Sequence, residues 1–358
     1  MAERSAWRRW TILTAAASAA CAAGLLEAAP SGDVLDLQVR LTELYQEHSN
    51  AIVRVKVATE DLDENGKPRI SLLVFSGFFV SPEGLVLTNS TATTQANRIW
   101  VEKNGLSYLA ESIGNDPRTN VGLLQVLKLP RSFSHIPLET TTESPEIGSL
   151  VMAITSPLDF NPTPSIGLVT GSESSFSNFV FPFTYLRVGI PGGPAEGGSP
   201  ILNLEGQLVG ISVASVPEVR SSYVVPTRAL VRLHEQLKTA GTVRYGALPI
   251  EFSERPDRLN VAKEIYVSQV NPESSAGKAG LKEGDVLRSI NEEPLTSLSM
   301  LRDAIFFSEI GSFLRLEINR EDKTLGFALP IEPLSEISRP STTTNPATPD
   351  AAASSPRD

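Results

Sequence analysis

Between residues 192 and 203 the chain reads Gly192-Gly193-Pro194-Ala195-Glu196-Gly197-Gly198-Ser199-Pro200-Ile201-Leu202-Asn203, with four glycines and two prolines. Glycine at that density marks backbone in conformations that a side chain forbids, or backbone pressed close to something else. Such loops serve acyl transfer in two ways. They lift one hydroxyl out of the chain path, and they aim backbone N–H groups at the oxyanion that forms. Ser199 is the only hydroxyl in this loop, and it stands directly before a proline. A serine hydroxyl is nucleophilic only when a neighbouring base takes its proton. The chain offers three histidines as bases, His48, His135 and His234. Glu196 is a base by type, with no evident group to orient it. No metal or cofactor is expected.

The elements that must position this loop follow from length and pattern. At 358 residues the chain exceeds one ordinary core, so two domains plus tails are expected. Apolar content of 41% and charged content of 20% fit a folded protein, and a net charge of −10 argues against nucleic acid as a partner. Residues 1–29 read as a secretory signal. Arg4, Arg8 and Arg9 precede an alanine-rich apolar run over 10–26, and Ala28-Ala29-Pro30 follows. The run is short and weakly apolar for a membrane span, so cleavage and export to a periplasm or cell envelope are expected. Thr11 weakens the Arg8-Arg9 pair as a twin-arginine signal, and the residues before Cys21 form a poor lipidation site. Cys21 is the only cysteine, so cleavage after Ala29 leaves neither disulfide nor thiol chemistry.

Residues 30–50 hold an amphipathic helix, predicted over 33–49, with Val34, Leu37, Leu41, Leu44 and His48 at three- and four-residue steps. From 51 to 241 the period becomes two. Val53, Val55 and Val57 alternate with Arg54 and Lys56, and Asn65-Gly66 marks a hairpin turn. Strands are predicted over 70–80, 85–88, 99–102, 108–113, 121–126, 150–154, 166–170, 183–188 and 207–213, then a closing helix over 227–240 with His234 on its face. Many short strands without long helices between them imply an all-β barrel or sandwich. A second unit over 243–333 has strands at 250–252, 265–270, 286–290, 313–319 and 325–329, with helical pieces at 274–279 and 298–307. Residues 334–358, mostly Ser, Thr, Pro and Ala, read as a disordered tail.

The order of motifs over 50–333 resembles HtrA-type trypsin-like serine proteases, exported enzymes with a β-barrel protease domain followed by a PDZ domain. Ser76-Gly77-Phe78-Phe79-Val80-Ser81-Pro82-Glu83-Gly84-Leu85-Val86-Leu87-Thr88-Asn89 resembles the strand–turn–strand before the family's catalytic histidine. Gly114-Asn115-Asp116-Pro117-Arg118-Thr119-Asn120 is similar to the loop that delivers its aspartate, and Ile166-Gly167-Leu168-Val169-Thr170-Gly171 to a strand of its second barrel. Gly280-Leu281-x-x-Gly284-Asp285 resembles the centre of a bacterial PDZ domain. The resemblance implies a mainly β fold: a trypsin-like double six-stranded barrel followed by an α+β PDZ domain.

The departures bear on chemistry. Where the family reads Thr-Asn-x-His, Thr88-Asn89-Ser90 is followed by Thr91. Asn120 falls where the aspartate is expected, and Gly197 falls on the nucleophile position, a register set by Pro200 and Asn203-Leu204-Glu205-Gly206. Threonine is no base, asparagine carries no charge for an imidazolium, and glycine has no side chain. What remains by resemblance is the oxyanion-loop backbone of Ala195 and Gly197. The expectation is an exported pseudoprotease that binds unfolded polypeptides or protein C-termini as scaffold, chaperone or regulator of an active HtrA-type protease. The alternative is a serine endopeptidase of protein quality control with a non-standard arrangement, Ser199 being its displaced nucleophile. A third reading is self-association through the 33–49 helix, family members often being trimers. PDZ domains add a peptide as a strand and hold its carboxylate by backbone N–H groups. Here that loop corresponds to Leu248-Pro249-Ile250, where Pro249 lacks an N–H. Leu301 and Ile305 either line the side-chain pocket or belong to the core.

Overall fold

The structure is a computed structural model that describes residues 32–336 apart from 63–66, 95, 140–143, 177–178, 194, 258–260, 262 and 322. The expected signal over 1–29 with Cys21, the Asn65-Gly66 turn and the tail beyond 336 lie outside the described residues. The amphipathic stretch forms α1 (Gly32–His48), whose residues up to Gln46 belong to a different unit from the one that begins at Glu47.

The first half of the larger unit is a closed barrel. Its strands are β1 (Ile52–Leu62), β2 (Pro68–Phe79), β3 (Leu85–Asn89), β4 (Arg98–Lys103), β5 (Leu106–Asp116) and β6 (Val121–Val126), joined in the order β1-β2-β3-β6-β5-β4. A four-residue helix, α2 (Thr91–Thr94), follows β3 and was not anticipated. The alternation of β1 sends Val53, Val55 and Val57 inward, where they pack with Phe79, Val86, Val101 and Leu124.

The second barrel takes β7 (Leu150–Thr155), β8 (Thr163–Phe176), β9 (Phe179–Val188), β10 (Pro200–Leu202), β11 (Leu208–Val216) and β12 (Ser221–Pro226) in the order β10-β11-β12-β9-β8-β7. Closure falls to β10, a strand too short to read from sequence. Ile201 pairs with Ala153 on one side and Gly210 on the other, and all three β10 residues are buried. Strand β12, between the predicted 207–213 strand and the 227–240 helix, was likewise missed. Helix α3 (Thr227–Ala240) buries Ala229, Leu230, Leu233 and Leu237 and stops at Gly241, whose φ of 71° only glycine adopts readily.

The region after α3 has β13 (Gly246–Ala247), β14 (Ile250–Pro256), β15 (Lys263–Val270), α4 (Ser275–Lys278), β16 (Val286–Ile290), β17 (Glu293–Pro294), α5 (Leu298–Phe307), β18 (Phe313–Arg320), β19 (Lys323–Pro330) and β20 (Glu332–Pro333). The sheet runs β14-β15-β16-β18-β19, which leaves β14 at an edge. The Gly284-Asp285 motif has a structural reason. Asp285 accepts two 2.6 Å hydrogen bonds from Arg320 and a third from the Lys282 N–H at 2.8 Å.

Helix α5 also fastens this domain to the second barrel. Asp303 accepts from the Thr184 N–H at 2.7 Å and its hydroxyl at 2.8 Å, Phe306 packs on Phe183 at 4.3 Å, and Arg302 donates to the Ser174 carbonyl at 3.3 Å. From the linker, Tyr245 donates to Asp116 of the first barrel at 2.5 Å, with the Arg118 guanidinium over its ring. Asp303→Ala should cost about 2 kcal/mol in urea unfolding and expose the linker to proteolysis. Burial pushes the Asp303 carboxyl up against the pull of Thr184, so the folded state holds that proton more tightly than the unfolded chain. The stability this contributes is present below the unfolded pKa and lost as pH rises through the folded one. Relative to Asp303→Asn, the wild type should therefore lose stability across the acid range; a flat difference would contradict the assignment.

Candidate functional site

Strand β3 is wholly buried and delivers Thr88 and Asn89 to the seam between the barrels. The chain then turns at Ser90, whose carbonyl accepts from the N–H and hydroxyl groups of Thr93 and Thr94 and so starts α2. Across from it, Asn120 sits in the β5–β6 turn at φ 58°, a left-handed conformation asparagine tolerates. Both ends of its side chain are engaged in one orientation. Oδ1 accepts from Ser90 Oγ at 3.0 Å, Thr91 Oγ1 at 3.1 Å and the Thr91 N–H at 3.2 Å. Nδ2 donates to the Val213 carbonyl of β11 at 2.8 Å. The surroundings are thus those of an amide, since a carboxylate would turn an acceptor toward the Val213 carbonyl. Thr91 and Asn120 meet, as the motif order implies, and every side-chain partner of theirs among the described residues is a hydroxyl, a backbone N–H or a carbonyl.

Gly197 faces Asn89. A Cβ added to Gly197 would lie 2.3 Å from Asn89 Nδ2, so the amide of Asn89 occupies the space a side chain at 197 would need. Gly198, at φ 91°, is tighter still, with a notional Cβ 2.2 Å from the Ser76 carbonyl. Ser76 organises the loop. Its N–H donates to the Gly197 carbonyl at 3.0 Å, its hydroxyl donates to the Ala195 carbonyl at 2.8 Å, and its Oγ accepts from the Ser156 N–H at 2.9 Å. Ala195 is held at φ 68°, where a residue with a Cβ pays about 1–2 kcal/mol. Among the described residues the N–H groups of Ala195 and Gly197 have no hydrogen-bond partner. The Glu196 carboxylate folds back instead onto the Gly193 N–H at 2.6 Å.

Ser199 points inward. It is 1% exposed, and its hydroxyl donates to the Glu196 carbonyl at 2.6 Å. His48 ends α1, His135 lies near Glu83, and His234 sits on α3 beside Glu235 at 3.3 Å with burial holding its pKa down. Asn89 and Ser76 were missed as site residues. Their only sequence signal was membership of the motif that leads into Ser90-Thr91.

In the region after α3, Leu248 and Pro249 are buried and Ile250 opens the edge strand β14 opposite Val270. Leu301 belongs to the core at 2% exposure, and Ile305 packs partly buried against the same cluster. Sequence reading also missed Glu254 of β14, whose carboxylate accepts from the Leu298 N–H at 3.2 Å at the start of α5.

Known proteins agree with this architecture. Residues 75–211 match the trypsin-like peptidase domain family and residues 246–331 the PDZ domain family. The periplasmic serine endoprotease DegP of Salmonella typhimurium is 28% identical over 283 residues, 76% of this chain and 59% of that protein. A probable DegP-like periplasmic serine endoprotease of Pseudomonas fulva is 30% identical over 308 residues, 82% of this chain and 62% of that protein. The chain thus spans about three fifths of the length of such relatives. Among solved structures, the HtrA-type protease AlgW with tripeptide superposes with a TM-score of 0.68 at 18% identity, covering 84% of this chain and 98% of that one. The serine endoprotease from Yersinia pestis gives 0.58 at 23% identity, with 82% and 98% covered. Two closed barrels followed by an edge-stranded α+β domain, matched by both family models in that order, make this chain a trypsin-like peptidase domain joined to a PDZ domain, the architecture of the HtrA-type proteases.

Proposed function

We propose that the chain is an exported, polypeptide-binding HtrA-type protein whose barrel does not hydrolyse peptides. The observation that carries this reading is the side-chain network at Asn120 and Gly197. An amide there makes three bonds through oxygen and one through nitrogen, and Gly197 offers no side chain, with the Asn89 amide lying where its Cβ would be. Attack on an amide needs a base to take the nucleophile's proton and an acid to return it to the leaving nitrogen. Thr91 supplies neither, and the Ser199 hydroxyl is spent on a backbone carbonyl inside the protein. What stays is a binding frame. The Ala195 and Gly197 N–H groups can hold a carbonyl oxygen, and the β14 edge can take a peptide as an added strand. Unfolded polypeptides or protein C-termini are the ligands, with an active HtrA-type protease a further partner and self-association, as a trimer, the assembly. The periplasmic location named for its relatives supports export to that compartment. Among the described residues no helix is long and apolar enough to cross a membrane.

The second reading, a serine endopeptidase of protein quality control, has the names of those relatives in its favour. The two separate cleanly. The purified chain should leave unfolded casein intact, stay unlabelled by a fluorophosphonate and still bind fluorescent casein by anisotropy. Cleavage that Ser199→Ala abolishes would establish the endopeptidase instead, and failure to bind casein or any C-terminal peptide would remove the binding role.

Two substitutions probe the site and groove more finely. Asn120→Asp should destabilise the fold by about 1–3 kcal/mol, because it breaks the bond to Val213 and turns like dipoles together; thermal unfolding reads this directly. Pro249→Gly should restore an N–H to the carboxylate loop and tighten binding of peptides with a free C-terminus by about tenfold, leaving amidated peptides unchanged.

A further inference from the structure

Ser76 is fully buried, and every hydrogen-bonding group it has is in use. Its carbonyl accepts from Thr88 Oγ1 of β3 at 2.8 Å, and its N–H donates to the Gly197 carbonyl at 3.0 Å. Its hydroxyl accepts from the Ser156 N–H, one residue past β7, at 2.9 Å and donates to the Ala195 carbonyl at 2.8 Å. An oxygen that accepts from Ser156 must turn its own proton elsewhere, so the end of β7 orients the hydroxyl that β2 supplies. Both barrels thus act on one carbonyl of the 195–197 loop.

That carbonyl belongs to a strained residue. Ala195 sits at φ 68°, a region costly for any residue with a Cβ. The Glu196 N–H bonds back to the Gly193 carbonyl at 3.3 Å, which makes 193–196 a turn with Ala195 in its third place. Positive φ there is the mark of a type II turn, where glycine is the usual residue, while a type I turn takes a φ of about −90° and suits alanine. The two forms differ by an inversion of the peptide unit that carries the Ala195 N–H. Left to itself, an alanine in this place would therefore point that N–H the other way. Among the described residues the only side chain bonded to Ala195 is Ser76.

We infer that Ser76 is the positioning residue of this loop: by holding the Ala195 carbonyl, its hydroxyl keeps the turn in the form that leaves the Ala195 N–H open to a ligand's backbone carbonyl. The inference rests on the reading of Ala195 and Gly197 as carbonyl-binding donors proposed above, and it names what keeps them set. Gly197 does not depend on the hydroxyl, since its carbonyl is fixed by the Ser76 N–H, which any residue but proline would supply. The effect of the hydroxyl is therefore specific to Ala195.

Amide NMR of the full chain, isotope-labelled at alanine and glycine and titrated with an amidated casein peptide, tests this. The Ala195 and Gly197 resonances should shift saturably in the wild type. Ser76→Ala should weaken the peptide about tenfold by removing one hydrogen bond. In an Ala195→Gly background, where positive φ carries no penalty, the same change should cost less than about threefold. A role in packing alone would give equal losses in both backgrounds. Ser76→Cys, close in size with a weak donor, repeats the cycle should Ser76→Ala not fold. Full-strength binding by the folded Ser76 variants, or an undiminished loss in the Ala195→Gly background, would overturn the assignment and leave the carbonyl-binding reading standing. Wild-type resonances that stay in place would remove that reading and the assignment with it.

Discussion

Where the two barrels meet, the backbone of one runs closer to the backbone of the other than side chains permit. Ser76, on β2, holds the 195–198 segment through its N–H and hydroxyl, and Gly198 lies so near the Ser76 carbonyl that any Cβ would overlap it. From there the chain has one path, through Pro200 into β10, where Ile201 closes the second barrel between β7 and β11. The same approach brings Gly197 against Asn89 and carries the Asn120 amide across to Val213. Barrel closure and the composition of the site are therefore one constraint. A bulkier loop would open the seam, and an open seam would free the polar groups it now satisfies.

Most of the frame was legible because it follows short-range rules. The Val-Arg-Val-Lys-Val alternation specified β1 and its inward face, and the helical piece predicted over 298–307 is α5. What stayed hidden depends on partners far along the chain. Strand β10 has three residues and begins with proline, so no period exists to detect. The amide role of Asn120 depends on a carbonyl ninety-three residues away. Alternation also placed Arg54 on the outer face, correctly, yet it is buried because the loop carrying Phe160 covers it. Pattern reports which side of a sheet a residue takes and is silent on what later crosses that side.

Helix α5 divides its two faces between two domains. Leu301 and Ile305 pack into the PDZ core, while Arg302, Asp303 and Phe306 reach the second barrel. Helix α5 also touches β14, where its Leu298 N–H reaches Glu254, so this pair is fixed to β9 through Asp303. On the other side, Tyr245 ties the linker to Asp116, whose carboxylate also accepts from Thr119 Oγ1 at 2.6 Å just before Asn120. Burial and the neighbouring Asp116 push the Tyr245 phenol up, which favours its protonated, donating form. A peptide that shifts the helix must therefore strain contacts reaching the Asn120 turn. Any link between groove and seam would run through these side chains.

Charge explains why the departures at the seam support one another. In a working triad the carboxylate is tolerated because an imidazolium forms beside it, and the imidazole is oriented because the carboxylate is there. With Thr91 in place of the base, an aspartate at 120 would be a part-buried anion facing the Val213 carbonyl without a counter-charge. Asparagine keeps the hydrogen bonds that an anion would accept from Ser90 and Thr91 and adds one that it could not make. A hydroxyl at 197 would then have no acceptor to hand its proton to and would have to displace the Asn89 amide to fit. On the reading proposed above, Thr91, Asn120 and Gly197 are therefore mutually compatible in a seam without a triad.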